Sequence, residues 1–112
     1  MAILHIQSFD ELGGLVASYD WLLLDFWAPW CAPCKAMNPV LEQFSELSPE
    51  TAVVKVNVDE SQELPVKFGI RAIPTLILLN RDRFVGQESG SRTLKELVDW
   101  IEGLKQESSQ SA

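Results

Sequence analysis

The segment Trp30-Cys31-Ala32-Pro33-Cys34-Lys35 joins two stretches of different pattern, and these three pieces together decide the fold. Before it, residues 21–27 are apolar except for Asp25, which predicts an interior strand covered on both faces. After it, apolar residues recur at three- and four-residue spacing over residues 36–47, which predicts an amphipathic helix that Pro39 kinks. The cysteines are therefore expected at a strand-to-helix turn in an α/β domain.

The rest of the chain supplies further strands and helices around this unit. Periodicity and turn residues predict, in chain order, strands at 3–6, 52–58, 75–79 and 83–88 and helices at 8–18, 59–68 and 94–104. Ser8 and Glu11 have the spacing of a capping box, and Gly69 is suited to end the short helix before it. A helix between two strands predicts a right-handed parallel unit, and the last two strands predict an antiparallel hairpin.

Size and charge limit what such a domain binds. With 112 residues and 46% apolar composition, the chain is expected to form one domain at residues 1–106, followed by a flexible polar tail at 107–112. A formal net charge of -7 disfavours nucleic acid and anionic membranes as partners. No apolar run approaches the roughly 20 residues of a membrane span, and residues 1–8 lack a secretory-signal pattern. We therefore expect a cytoplasmic, monomeric protein.

Two cysteines separated by two residues at a helix start predict thiol–disulfide chemistry. Unpaired backbone amides at the start of a helix favour a thiolate, so Cys31 is expected to be the nucleophile. Cys34 lies one turn further in and is expected to resolve the mixed disulfide. The alternatives are a static bridge or half of a zinc site. A structural zinc site requires four ligands, whereas the chain has only the two cysteines and one histidine, His5. Attachment of haem requires a histidine directly after Cys34, where this chain has Lys35.

Asp25 and Lys55 are charged residues inside strands that are otherwise largely apolar. Burial raises the pKa of a carboxyl group because it disfavours the charged form, and this shift allows proton exchange near neutral pH. We therefore hypothesise that Asp25 is the general base for Cys34 and that Lys55 modulates it. The alternative is that Asp25 is a buried acid with a purely structural role.

Three residues near the cysteines have both a structural and a functional interpretation. Trp27 is interpreted as a core residue, because an aromatic residue beside a strand usually is. Trp30, directly before the nucleophile, is expected to be partly exposed and to contact a partner protein. Pro74 stands at the start of a predicted strand, and on sequence grounds alone its peptide bond is expected to be trans.

The segment 27–35, with Asp25 upstream, resembles the active-site segment of the thioredoxin family. A C-x-x-C pair alone is weak evidence, but the similarity covers nearly the whole chain. It includes Pro39 in the kinked helix, the strand end at 55–59, the segment 68–75 and Gly90 after the last strand.

This resemblance implies a fold, a reaction and a set of partners. The fold is the thioredoxin fold, a central mixed five-stranded sheet flanked on both faces by about four helices. The reaction is the reduction of protein disulfides, in which Cys31 attacks, Cys34 resolves, and Asp25 with Lys55 tunes proton transfer. The chain itself is expected to bind no cofactor and no metal. Electrons come from an NADPH-dependent thioredoxin reductase and pass to client proteins that contain disulfides.

The resemblance also implies a surface on which clients dock. Pro74 is expected to be cis and to face the cysteines, and Ile73 to offer backbone groups that pair with an extended client segment. The residues that the resemblance assigns to substrate binding are Trp30, Ala32, Pro33, Ile73, Pro74 and Gly90.

The chain departs from the family pattern at Ala32, which replaces the usual glycine between the cysteines and restricts the backbone where a substrate approaches. The flank Ser89-Gly90-Ser91 is more polar than usual, and residues 80–83 lack the usual hairpin glycine. Redox poise and choice of partner therefore stay open. One alternative is a specialised oxidant or isomerase, against which Pro33 argues because such proteins usually have histidine there. The other is a binding module whose cysteines are incidental.

Overall fold

The structure, a computed structural model, describes residues 3–110 and the side chains of residues 3–108. Strands and helices follow one another along this part of the chain. Their bounds are β1 (Ile3–His5), α1 (Phe9–Ser18), β2 (Trp21–Trp27), α2 (Ala32–Leu47), β3 (Thr51–Asn57), α3 (Glu63–Lys67), β4 (Thr75–Asn80), β5 (Arg83–Ser89) and α4 (Leu94–Gln110).

The strands form one mixed sheet in the order β1-β3-β2-β4-β5, which confirms the predicted five-stranded architecture. Strand β2 lies at the centre, parallel to β3 and antiparallel to β4. Strand β1 extends the parallel side and β5 the antiparallel side. Residues 22–26 are all buried, as an unbroken apolar run predicts for a strand with both faces covered.

Helices cover the sheet on both faces. Leu12 of α1 and Leu64 of α3 belong to the core on one face, while Met37 of α2 and Leu97 of α4 pack with Leu23 on the other. Successive residues of a strand point to opposite faces, so Asp25 lies on the same face as Leu23, beneath α2. None of the helices within residues 3–110 is long and apolar enough to cross a membrane.

The limits of several helices differ from the pattern in the sequence. Helix α3 covers only residues 63–67 of the predicted 59–68, because the chain after β3 first forms a turn in which the amides of Glu60 and Ser61 donate to the Asn57 carbonyl oxygen. Helix α2 begins at Ala32 with Cys31 as its N-cap, which confirms the expected place of the cysteines at a helix start, although the apolar repeat itself begins only at residue 36. Helix α4 continues to Gln110, past the predicted domain end at 106, so residues 107–110 of the predicted flexible tail are helical. Polar residues there are compatible with a helix, and Arg83 donates a hydrogen bond to Ser108. Residues 111 and 112 lie outside the described part.

The turn between β4 and β5, which lacks the usual glycine, has Arg81 in the left-handed region with φ of 55°. This conformation disfavours a residue with a side chain. The Arg81 amide donates to the Asp20 carbonyl oxygen at 2.7 Å, and its guanidinium lies 2.9 Å from the Asp20 carboxylate. These contacts with the loop before β2 offset the unfavourable backbone conformation.

Replacing Ser8 with alanine is expected to lower the free energy of unfolding by about 1 kcal/mol. The predicted capping box is present: the Glu11 amide donates to Ser8 Oγ at 3.1 Å, and the Ser8 amide donates to Glu11 Oε1 at 3.2 Å. Chemical denaturation measures the change. Ser18→Ala, which removes a hydroxyl from the last residue of the same helix, is the control and is expected to cost much less. Equal losses in the two variants would contradict the role of the cap.

Candidate active site

The two cysteines occupy the first turn of α2 and are joined as a disulfide. Cys31 is the N-cap residue with an extended backbone, and Cys34 follows three residues later, with 5.3 Å between the two Cα atoms. The Cys34 amide donates a hydrogen bond to Cys31 Sγ at 3.2 Å. An amide that has no carbonyl partner within the helix therefore points at the sulfur of Cys31, where it stabilises negative charge.

The two sulfurs differ in shielding in the predicted sense. Cys34 is fully buried, whereas Cys31 retains 6% of its surface. Both pack with Ala28 in a small apolar cluster, against which Trp27 and Ile73 are placed. Cys31 is therefore the sulfur nearer to solvent, and Cys34 lies behind it.

Two loops at the same end of the sheet meet the cysteines. The Ile73–Pro74 peptide bond is cis, which confirms the expectation from the resemblance and corrects the trans expectation from sequence alone. Cys31 Sγ lies 4.0 Å from the Ile73 carbonyl oxygen. Gly90, with φ of 91°, donates its amide hydrogen to the Pro74 carbonyl oxygen at 2.8 Å. The fold thus brings the segments of Cys31, Ile73, Pro74 and Gly90 together.

An exposed tryptophan stands beside this arrangement. Trp30 is 69% exposed, and its indole N–H donates to both carboxylate oxygens of Asp59, at 3.1 and 3.2 Å. Ala32 and Pro33 are also exposed, at the start of α2. A cleft of about 230 Å³ runs from this tryptophan to the loop before Pro74. It is lined by Trp30, Val58, Pro65, Ile70, Arg71, Ala72 and Ile73.

Sequence reasoning missed most of the cleft and the residue that holds Trp30. Asp59 ends the Lys55–Asp59 strand segment noted above, so the similarity marked its position without indicating its contact. Arg71 and Ala72 lie in the similar segment 68–75, but nothing in their spacing distinguishes a cleft wall from an ordinary loop. Their signal was proximity in sequence to Ile73 and Pro74.

Asp25 is completely buried and faces Lys55 across adjacent strands. Lys55 Nζ lies 3.7 Å from Asp25 Oδ2, and no hydrogen bond from the described part of the chain reaches either carboxylate oxygen. Burial raises the pKa of Asp25 from its usual 3.8 to about 6, even though the positive charge of Lys55 acts to lower it. A carboxyl group with this pKa changes protonation close to neutral pH.

The Asp25–Lys55 pair connects to the cysteines through Trp27. The Lys55 ammonium lies 4.6 Å from the centroid of the Trp27 ring, and Trp27 packs against the cluster that contains both cysteines. Trp27 is only half-buried rather than a full core residue, because its outer face lines a cleft at the edge of the sheet. Among the described side chains, no three metal-ligating groups converge.

Comparison with known proteins identifies relatives of the whole domain. The family model described as thioredoxin matches residues 2–103. The thioredoxin of Haemophilus influenzae is 44% identical over 103 residues, which cover 88% of this chain and 94% of the relative. The thioredoxin of Alicyclobacillus acidocaldarius is 48% identical over 77 residues, covering 68% of this chain and 73% of the relative.

Solved structures agree with this similarity. A mutant thioredoxin of Halobacterium salinarum superposes with a TM-score of 0.86 at 36% identity, covering 92% of this chain and 90% of the other. Oxidised mitochondrial thioredoxin 3 of Saccharomyces cerevisiae gives 0.83 at 31% identity, covering 90% and 94%. Both are thioredoxins. The second was solved in its oxidised form, and the cysteine pair of this chain is likewise oxidised, as the Cys31–Cys34 disulfide. The chain therefore belongs to the thioredoxin family and is a thiol–disulfide oxidoreductase.

Proposed function

We propose that the chain is a cytoplasmic reductase of protein disulfides in which Cys31 attacks and Cys34 resolves. The observation that carries this proposal is the hydrogen bond from the Cys34 amide to Cys31 Sγ, at the positive end of α2. In the reduced chain the same amide and the helix dipole favour a thiolate on Cys31. The greater exposure of Cys31 makes it the sulfur that a client disulfide reaches.

The reaction passes two electrons from the cysteines to the client. The Cys31 thiolate attacks one client sulfur and the client disulfide breaks, so that one client thiolate leaves and the other sulfur stays bonded to Cys31. Cys34 then transfers its proton to the Asp25 carboxylate and attacks Cys31 Sγ. The mixed disulfide breaks, the second client thiolate leaves, and the Cys31–Cys34 disulfide forms. Both client thiolates take protons from solvent.

The roles of Asp25 and Lys55 in this scheme rest on their burial and separation. A carboxylate accepts a proton from a shielded thiol best when its pKa is close to the working pH. Burial raises the pKa of Asp25 into this range. The Lys55 ammonium, 3.7 Å away, limits the rise in pKa, so that the ionised form of Asp25 is populated at neutral pH. We assign proton transfer to Asp25 and its tuning to Lys55.

The docking surface of the proposed reductase surrounds Cys31. Trp30 and Ile73 border the cleft, Ala32 and Pro33 are exposed in the first turn of α2 directly after Cys31, and Gly90 is hydrogen-bonded to Pro74. An extended client segment that pairs with the Ile73 backbone brings its disulfide to Cys31, whose Sγ is 4.0 Å from the Ile73 carbonyl oxygen. Pro74 shapes this loop through its cis peptide bond.

We assign an NADPH-dependent thioredoxin reductase as the electron donor and disulfide-containing proteins as clients, with the chain acting as a monomer. The test is NADPH consumption in the presence of the chain, a thioredoxin reductase and insulin. We expect turnover with the natural chain and none above background with Cys31→Ser. Failure with every reductase tried, or turnover that survives loss of Cys31, would contradict the proposal.

A redox titration in glutathione buffers separates the reductase from the alternative of a specialised oxidant or isomerase. A reductase keeps its cysteines oxidised in buffers that reduce the cysteines of an oxidant, because its reduction potential is lower. We expect a potential below that of glutathione. A potential above it would favour the oxidant, and would point to Ala32 as the residue to replace with glycine.

A further inference from the structure

The side chains of His5, Lys55 and Asp25 form a row across the face of the sheet beneath α2. His5 pairs with Lys55 between β1 and β3, and Lys55 pairs with Asp25 between β3 and β2. Partners at one register position of parallel strands point to the same face. Helix α2 adds Asn38 and Glu42, which border the same cleft as His5 and Lys55.

The Lys55 ammonium is held by Asn38 more closely than by Asp25. Lys55 Nζ donates a hydrogen bond to Asn38 Oδ1, whereas its distance to Asp25 Oδ2, 3.7 Å, is that of an ion pair without a normal hydrogen bond. The Trp27 ring, 4.6 Å away, contacts the ammonium but provides no acceptor oxygen. Asn38 is therefore the group that fixes where the charge sits.

A lysine at this position has room to move elsewhere. The cleft at the edge of the sheet has a volume of about 270 Å³ and is bordered by His5, Asn38, Glu42 and Lys55. A lysine side chain has a flexible four-carbon stem, and its strongly hydrated ammonium favours a position in contact with water over a buried one. Without Asn38, the ammonium is free to turn towards solvent or Glu42.

We propose that Asn38 is a positioning residue of the redox site: by accepting a hydrogen bond from Lys55, it keeps the ammonium beside Asp25 and thereby sets how readily Asp25 gives up its proton. This inference rests on the proposed roles of Asp25 and Lys55. Loss of Asn38 withdraws a positive charge from a buried carboxylate and thus raises the pKa of Asp25. Asn38 itself touches neither sulfur in this scheme and acts through Lys55.

The test measures the titration of Asp25 in the disulfide form, in which the cysteines do not titrate. Carbon-13 NMR follows the signal of the Asp25 carboxyl carbon as the pH changes. The signal is assigned because it disappears in Asp25→Asn, so its titration is not confused with that of His5 or Glu42. We expect Asn38→Ala to raise the midpoint by about one pH unit. At pH 6 the ionised fraction then falls about fivefold, and at pH 8 it hardly changes.

Two further variants distinguish positioning from a general effect on the helix. Gln43→Ala removes an amide from the exposed side of α2 and is expected to leave the midpoint unchanged. Lys55→Met is expected to raise the midpoint, and adding Asn38→Ala to it is expected to raise it no further. A midpoint that is unchanged or lowered in Asn38→Ala, an equal shift in Gln43→Ala, or an undiminished shift in the Lys55→Met background would overturn the proposal.

The dependence on the proposed function is tested separately. Turnover of insulin by Asp25→Asn reports whether Asp25 takes part in the reaction. If that turnover equals that of the natural chain, the role of Asp25 as base fails, and with it the catalytic meaning of Asn38. If it falls while the midpoint in Asn38→Ala stays unchanged, the base role stands and only the positioning role of Asn38 fails.

Discussion

Replacing Cys34 with serine is expected to stop turnover after the first half of the reaction, and to leave a client protein covalently attached to Cys31. The attacking sulfur is still present at the start of α2, with the Cys34 amide replaced by an equivalent backbone amide. The resolving thiol is absent, and a serine hydroxyl is far too weak an acid to replace it. Steady-state reduction of insulin should fall on the order of a thousandfold or more.

The complementary variant, Cys31→Ser, is expected to lose turnover by a similar factor without trapping any client. Intact-protein mass spectrometry after incubation with a client disulfide distinguishes the two, since only Cys34→Ser gains the client mass. Dithiothreitol should remove the adduct. An adduct on Cys31→Ser, with none on Cys34→Ser, would reverse the roles assigned here to the outer and the inner sulfur.

The fold was largely predictable because its central elements depend on apolar pattern. The strand at 21–27 was predicted with the limits it has in the structure, since a strand buried on both faces leaves an uninterrupted apolar run. The first turn of α2 was not predictable by the same means. Its residues point to solvent or to the cysteine cluster and have no period, and the cap that defines it is a cysteine.

The site was predictable where a residue contradicted its surroundings. Asp25 was noticed because a carboxylate is out of place in an apolar strand, and the structure buries it completely. Asn38 contradicts nothing, since a polar residue on an amphipathic helix is ordinary, and its contact with Lys55 depends on how α2 crosses the sheet. The same holds for Asp59, whose carboxylate holds Trp30 from a loop 29 residues away.

The cis bond before Pro74 shows the limit of reasoning from residue type. Proline permits a cis bond but does not require one, so sequence alone favours trans. The similarity of the segment 68–75 to the family supplied the correct expectation, which the structure confirms. Here the information lay in the combination of residues rather than in any single one.

Replacing Asp25 with asparagine is expected to stabilise the oxidised chain by about 3 kcal/mol at pH 7. Burial raises the pKa of Asp25 from its usual 3.8 to about 6, so the folded state binds its proton more tightly than the unfolded state does. The contribution of this group is therefore most favourable below pH 3.8, and it is lost as the pH rises towards 6. At pH 7 the folded chain contains a buried carboxylate at full cost, which a neutral amide of nearly equal shape avoids.

The pH dependence distinguishes this explanation from a general gain in packing. Chemical denaturation of both proteins at pH 4 and pH 7 should give a difference of less than about 1 kcal/mol at the lower pH, where the carboxyl group is neutral in the fold. Glu46→Gln, which neutralises an exposed carboxylate on α2, should change the free energy of unfolding by no more than about 0.5 kcal/mol at either pH. A gain from Asp25→Asn that is equal at both pH values would mean that ionisation of this carboxyl group costs the fold nothing. The proposed role of Asp25 as the base for Cys34 explains why the chain has a residue that lowers its stability at neutral pH. The same pKa that causes the loss of stability allows Asp25 to accept the proton of Cys34 at that pH.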